Sequence, residues 1–295
     1  MRKQGTIIFI ICIIILISFL FLYTIINIFD NKNKFRIIHN KLNNSKEKND
    51  KFLDIQFIKN KKKVSYLEYN TLKDIPIYII AYNNLYYVKN MIKQLEKYTK
   101  NINIIDNNST YLKLLNYYED EYNYNLIKMP ENYGYLVYLN QLYEILPEKF
   151  IITDPDLELN PNLPYNFIDE LDIISEKYKI WKVGFAIDIF DNSKIFYEKD
   201  YFNNKSIYEH ESQFWENKIE ENIYVAPIDT TFCLCNKKYY KNDSFTPSLR
   251  IAGNYTTKHL PWYIENWKKI PKDEIEFYIK NNNSSTILNI IKKFL

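Results

Sequence analysis

The 295-residue chain contains only four glycines, Gly5, Gly134, Gly184 and Gly253. Neither a G-x-G-x-x-G turn nor a P-loop can be written from them, which argues against a dinucleotide site and a Walker-type NTPase. Histidine is equally scarce. His39, His210 and His259 lie far apart, which disfavours a multi-histidine zinc site. Cys12 sits inside an apolar run, and Cys233 and Cys235 are too close together for an ordinary bridge, so there is no disulfide framework. An excess of charge is missing too. A net charge of +3 is too small to argue for nucleic acid as a partner. What remains is 46% hydrophobic and 25% charged, which suits one sizeable domain with an appendage. Asn, Lys, Ile and Tyr are abundant throughout, so runs of Asn or Lys say little on their own.

After a short tail over 1–5, Thr6 to Phe29 carries no charge and is dominated by Ile, Leu and Phe. That is long enough to span a bilayer, too long for an ordinary signal-peptide core, and followed by no small-residue cleavage site. The expectation is an uncleaved anchor in a single-pass protein of type II. Arg2 and Lys3 favour a cytoplasmic N-terminus, but Lys32, Lys34 and Arg36 pull the other way, so the side carrying the domain stays open. Residues 30–72 are polar and read as a stem, with weak amphipathic helix around Phe52 to Ile58.

The folded domain is expected over 73–295. Ile75–Ala81, Ile102–Ile105, Leu126–Met129 and the run from Phe150 read as strands. Helical spacing separates them: Leu85, Val88, Ile92 and Leu95; then Leu112 and Leu115; then Asn132–Leu146 with Leu136, Leu139, Leu142 and Leu146 inward. Such alternation predicts an α/β fold with a mostly parallel, doubly wound sheet. The second half is less regular and reads as a mixed portion. It has strands near Trp181–Ile189, Ile223–Ala226 and Thr231–Cys235, a helix near Glu209–Trp215, and closing helices over 272–294.

The run Phe150-Ile151-Ile152-Thr153-Asp154-Pro155-Asp156 organises the rest. Proline fixes the turn and gives up its N–H, so the strand should stop there. Two carboxylates then project from the carboxyl end of a central strand, where open α/β sheets bind ligands. Close carboxylates repel unless a cation or hydrogen-bond donors hold them. Mn²⁺ or Mg²⁺ bridging to a diphosphate would do so. The other strand ends also suit a nucleotide: Tyr82 and Asn83 for a base or ribose, Asp106 as an acceptor from either. Each reads equally well as a polar cap. In a glycine-poor chain, Gly134 answers a backbone need such as close approach of a ligand.

Taken in order, these motifs resemble the GT-A-fold glycosyltransferases, in particular the broad family-2-like set. A first strand ends in a polar loop, Ile79-Ile80-Ala81-Tyr82-Asn83. A second ends in Asp106-Asn107-Asn108-Ser109. Glu131, Asn132, Gly134 and Asn140 open a helix, and an apolar strand leads into Asp154 and Asp156. The resemblance covers about residues 75–160. It implies transfer of a sugar from a nucleotide-diphosphate sugar, a UDP-sugar by preference, to a hydroxyl of a glycan, protein or lipid. By this resemblance Ala81, Tyr82, Asn83, Asp106, Asn132, Gly134, Asn140 and Asp154 form the donor set, with Asp106 at the nucleoside and Asp154 at ribose or sugar. Asp156 holds the metal. His259-Leu260-Pro261-Trp262 is similar to a late His-Pro-Trp segment of other GT-A enzymes, which makes His259 a third ligand beside Asp154 and Asp156.

The second half departs from the family pattern, because no Glu-Asp pair stands where that family keeps its base. Asp229 is the first candidate for a carboxylate that takes the acceptor proton, and Glu265 the second. Trp262 and Tyr263 form a sugar-stacking wall or are ordinary core. Inversion and retention are both open. Two other classes compete: a metal-dependent nucleotidyltransferase and a catalytically inactive sugar-binding surface protein on the same fold.

Overall fold

The computed structural model describes residues 55–59, 61–64, 74–190, 205–241 and 248–281. The apolar run over 6–29, most of the expected stem and residues 282–294 lie outside them. Among the described residues no helix is long and apolar enough to cross a membrane.

The folded unit begins at Ile55, earlier than the expected boundary near 73. Gln56–Lys59 (β1) and Lys62–Val64 (β2) form an antiparallel hairpin where weak helix was expected. Ile55 and Phe57 are buried with Gln56 exposed between them, a period of two that suits a strand and not a helix.

The nucleus of the sheet is parallel. Ile77–Ala81 (β3), Ile102–Asp106 (β4) and Asn125–Lys128 (β5) are joined through helices Leu85–Leu95 (α1) and Leu112–Asp120 (α2). The chain then crosses to the other side of β3 as Lys149–Thr153 (β6). β3 and β4 are buried along their whole length, as strands covered on both faces must be. α1 buries Tyr87, Val88, Met91, Ile92 and Leu95, the face its spacing predicts.

The remaining strands are Leu157–Leu159 (β7), Lys182–Phe185 (β8), Lys218–Glu220 (β9), Ile223–Val225 (β10), Cys233–Asn236 (β11), Leu249–Ile251 (β12) and Thr257–His259 (β13). Among the described residues the large sheet has the order β2-β1-β5-β4-β3-β6-β11-β8-β12-β10-β9, and β7 and β13 pair apart from it. Four neighbouring pairs are parallel and six antiparallel, so the sheet is mixed rather than mostly parallel. The antiparallel pairs come from the hairpin at one edge, from β10 near the other edge, and from β11, which enters between β6 and β8. Helix Phe167–Tyr178 (α4) ends in Lys179 at φ 52° and delivers the chain to β8.

The expected helix over 132–146 shrinks to Val137–Asn140 (α3). Side chains claim the backbone on both sides of it. Asn107 accepts from Tyr133 N (3.0 Å) and donates to the Gly134 carbonyl (2.9 Å), with Gly134 at φ 72°. Beyond it, Pro147 has no N–H to give the Tyr143 carbonyl, and Lys237 takes that carbonyl together with the one of Leu146. Three more short helices, Ile207–Ser212 (α5), Ile264–Trp267 (α6) and Lys272–Asn281 (α7), complete the described chain.

Candidate active site

Strand order reverses between β3 and β6: the chain runs β3, β4, β5 to one side and returns to the other. Ligands of open α/β sheets bind in the crevice outside such a point, at the carboxyl ends of the strands. Asp154, Pro155 and Asp156 leave β6 there, and a cleft of about 430 Å³ opens over them, lined also by Tyr82, Asn84, Asn107, Asn132 and Gly134. A second cleft of about 370 Å³ adjoins it. It shares Tyr135, Asp154 and Asp229 and adds His210, Glu211, Phe214, Arg250, His259 and Trp262.

The sheet explains how distant residues arrive. β11 runs antiparallel to β6, with Cys233 opposite Ile152. The loop preceding β11 therefore lies beside the end of β6. Asp154 N donates to the Thr230 carbonyl (3.1 Å) and Thr230 Oγ1 donates to Asp154 Oδ2 (2.7 Å). His259 comes by a different route. β7 follows Asp156 directly and pairs with β13, placing His259 opposite Leu157. Leu260 N donates to the Asp156 carbonyl (2.8 Å), and His259 Nε2 stands 3.6 Å from Asp156 Oδ2.

The electrostatics are those of crowded acids. Burial pushes the Asp154 carboxyl well up, and the charges of Asp156 and Asp229 push the same way. Burial also raises Asp156, and His259 draws it partly back. Asp229 is different. Burial works to raise it, but its Oδ1 accepts from Thr230 N (2.7 Å), Thr231 N (3.1 Å) and Thr231 Oγ1 (2.9 Å), and it is held below the usual carboxylate range. One stable carboxylate thus faces two that resist ionisation.

The donor set fits a hard divalent ion: carboxylate oxygens without a thiol, where Asp156 Oδ1 and His259 Nδ1 are buried with no hydrogen-bond partner. Among the described residues no three His, Cys, Asp or Glu side chains stand as a ready-made metal cluster. An ion at Asp156 would draw further ligands from phosphate oxygens and water, as Mg²⁺ usually does.

Several sequence candidates sit elsewhere. Asn83, at φ 57° and fully buried, turns inward; its Oδ1 accepts from Thr110 N (2.7 Å) and Tyr111 N (2.9 Å). Asp106 is buried under its own loop, accepting from Ser109 N (3.2 Å) and Tyr118 Oη (3.3 Å), and burial raises its carboxyl. Neither lines either of these two clefts; their neighbours Asn84 and Asn107 line the first. Ala81 is buried in the core, and exposed Asn140 lines neither cleft. Glu265 is exposed and paired with Lys268 (2.7 Å), away from both clefts. Tyr263 is core, packed with Tyr87, Ile187 and Trp267, whereas Trp262 belongs to that cluster and also faces the second cleft, its ring 4.8 Å from that of His259.

Sequence reasoning missed Tyr135, Thr230, Glu211 and Arg250. Only Arg250 left a signal. In a chain whose cations are nearly all lysine, the other arginines are Arg2 and Arg36, so Arg250 is the one in the globular part.

No family model matches the chain, and no curated protein matches it. Among solved structures, that of residues 1–349 of TarS from S. aureus aligns at 15% identity over 39% of this chain and 36% of that one, with a TM-score of 0.29. A likeness at that score carries no argument about fold or activity.

Proposed function

We propose that the chain is a glycosyltransferase that moves a sugar from a nucleotide-diphosphate donor, a UDP-sugar by preference, to a hydroxyl of a glycan, protein or lipid. The observation that carries the reading is the Asp154–Asp156 pair: two half-buried carboxylates at the strand-order reversal, beneath a cleft, with no lysine or arginine paired to either among the described residues. Crowded acids of this kind are unfavourable in an isolated fold and become favourable when a cationic ligand arrives.

In this reading the 430 Å³ cleft takes the nucleotide diphosphate, with Tyr82, Asn84 and Asn107 near the base and ribose. Mn²⁺ or Mg²⁺ held by Asp156 would neutralise charge on the leaving diphosphate. Thr230 fixes the rotamer of Asp154. The adjoining cleft takes sugar and acceptor, with Trp262 and Tyr135 as apolar surfaces and Asp229 as the carboxylate that accepts the acceptor proton if configuration inverts. If configuration is retained, Asp229 positions the acceptor or stabilises the developing cation. Residues 6–29 anchor the chain in a membrane.

Hydrolysis of UDP-sugars by the full-length chain without acceptor tests the reading. Release of free sugar that requires Mn²⁺ or Mg²⁺ and vanishes in Asp156→Ala supports it. Full activity in a folded Asp156→Ala variant would sink the metal assignment.

A further inference from the structure

The loop Pro227-Ile228-Asp229 is held in an unusual way. Its three consecutive carbonyls all accept from cationic side chains. Arg250 Nε donates to Pro227 O (2.9 Å), and Lys182 Nζ donates to Ile228 O (2.7 Å) and Asp229 O (2.6 Å). Lys182 is among the largest fully buried side chains of the protein, and Arg250 is buried as well. Burying a lysine is costly unless its ammonium is fully engaged. Here two of its three protons go to successive carbonyls of one loop, and the face of Tyr138 lies 5.6 Å away.

Arg250 reaches further. Its Nη1 is ion-paired with buried Glu211 on α5, and its guanidinium lies over the ring of Phe214 at 4.3 Å. Glu211 and Phe214 form a wall of the second cleft, so one guanidinium joins that wall to the loop that carries Asp229. The anchors sit on neighbouring rigid strands. β8 carries Lys182, β12 carries Arg250, and the two strands pair in parallel, with Arg250 opposite Gly184. The Asp229 carboxylate makes no hydrogen bond to either cation of this clamp, although the charge of Arg250 is among the interactions that hold it ionised. Its Oδ1 is taken by the Thr230 and Thr231 donors that follow it.

We propose that Lys182 and Arg250 are positioning residues, a pair of buried cations that clamp the 227–229 loop by its carbonyls and so fix the Asp229 carboxylate at the junction of the two clefts. The catalytic part of this inference rests on the glycosyltransferase reading; the clamp does not. Without these donors the loop is free to shift, and displacements of about 1 Å at a reacting group cost on the order of 100-fold in rate.

Lys182→Met keeps the length of the stem and removes the ammonium. Arg250→Met removes the fork, and Arg250→Lys keeps one charge. In the full-length chain, hydrogen exchange of the segment 226–232 should quicken by at least ~10-fold in Lys182→Met and Arg250→Met while β3 and β4 keep their protection. Arg250→Lys should restore most of the loss. In donor hydrolysis, kcat should fall by ~10–100-fold with KM for the donor unchanged. Exchange in 226–232 equal to that of the unaltered protein, in either methionine variant that folds, would overturn the clamp whatever the activity. Faster exchange with unchanged kcat, in a protein where Asp229→Asn is inactive, would overturn its catalytic role. Full activity in Asp229→Asn would instead count against the glycosyltransferase reading and leave the clamp to the exchange result. Should Lys182→Met fail to fold, Arg250→Met and Arg250→Lys carry the same test.

Discussion

His259 and Asp156 are distant in sequence yet stand with Nε2 and Oδ2 3.6 Å apart, because the β7–β13 ribbon sets His259 opposite the residue that follows Asp156. The ribbon makes the histidine part of the acidic turn. His259→Ala should therefore leave nucleotide binding measurable but weaken its Mn²⁺ dependence by roughly tenfold, the scale of losing a supporting partner of a metal ligand. Manganese titrations followed by nucleotide binding would read this directly. Unchanged metal affinity in the variant would assign His259 to packing against Trp262 alone.

Acid should stabilise this protein in the absence of ligands. The carboxyls of Glu211 and Glu274 are both pushed up to about 7, chiefly by burial. Between the ordinary glutamate range and pH 7 the folded chain holds protons that the unfolded chain has released. Stability from these groups is thus fully present near pH 4.5 and is lost as pH rises to 7. The loss is on the order of 1–3 kcal/mol per group. Thermal midpoints of metal-free protein should fall from pH 5 towards pH 8, and Glu211→Gln with Glu274→Gln should flatten the slope. An equally steep fall in the double variant would place the titration elsewhere.

Gly184 lies in the middle of β8 against β11. A Cβ there would overlap the Phe232 carbonyl and stand 2.6 Å from Cys233 Cβ. Gly184→Ala should cost about 2–3 kcal/mol or prevent folding, since a strand backbone cannot yield as a side-chain end can. Urea unfolding would measure it, and a loss below about 0.5 kcal/mol would contradict the packing described.

Asn83 and Asn84 should separate fold from binding. Asn83→Ala strips the acceptor from the buried Tyr111 N–H and the part-buried Thr110 N–H, and a loss of about 2 kcal/mol is expected, with nucleotide affinity of the folded protein little changed. Asn84 lines the cleft, makes no side-chain cap bond to α1 and accepts only a long bond from Tyr82 N (3.3 Å), so Asn84→Ala should weaken nucleotide binding and cost no more than about 1 kcal/mol of stability. Paired thermal and binding measurements decide between the two assignments.

The nucleus of the fold was legible because local patterns dictate it. Largely apolar runs mark β3, β4 and β6, and a 3.6-residue period marks α1. The turn at Asp154 was legible through its proline. What sequence could not supply was lateral order. β11 enters antiparallel between β6 and β8, and nothing local to Cys233–Asn236 reveals its neighbours. Thr230 and Arg250 reach the site only through that order. Asn83 and Asp106 turn into their own loops, which local sequence does not reveal for a related reason. A polar residue at a strand end caps its own loop or faces a ligand, and the choice depends on packing beneath it. The exposed Glu265 went the same way, as helical position alone does not say which face meets solvent.

Calorimetric titration of the full-length chain with UDP and GDP, each with and without Mn²⁺ and repeated in Asp156→Ala, tests the central claim most directly. Binding of one nucleotide, UDP by preference, is expected to require Mn²⁺ and to be lost in Asp156→Ala with the fold intact. Binding indifferent to Mn²⁺ and to Asp156, or no binding of either nucleotide by folded protein, would contradict it.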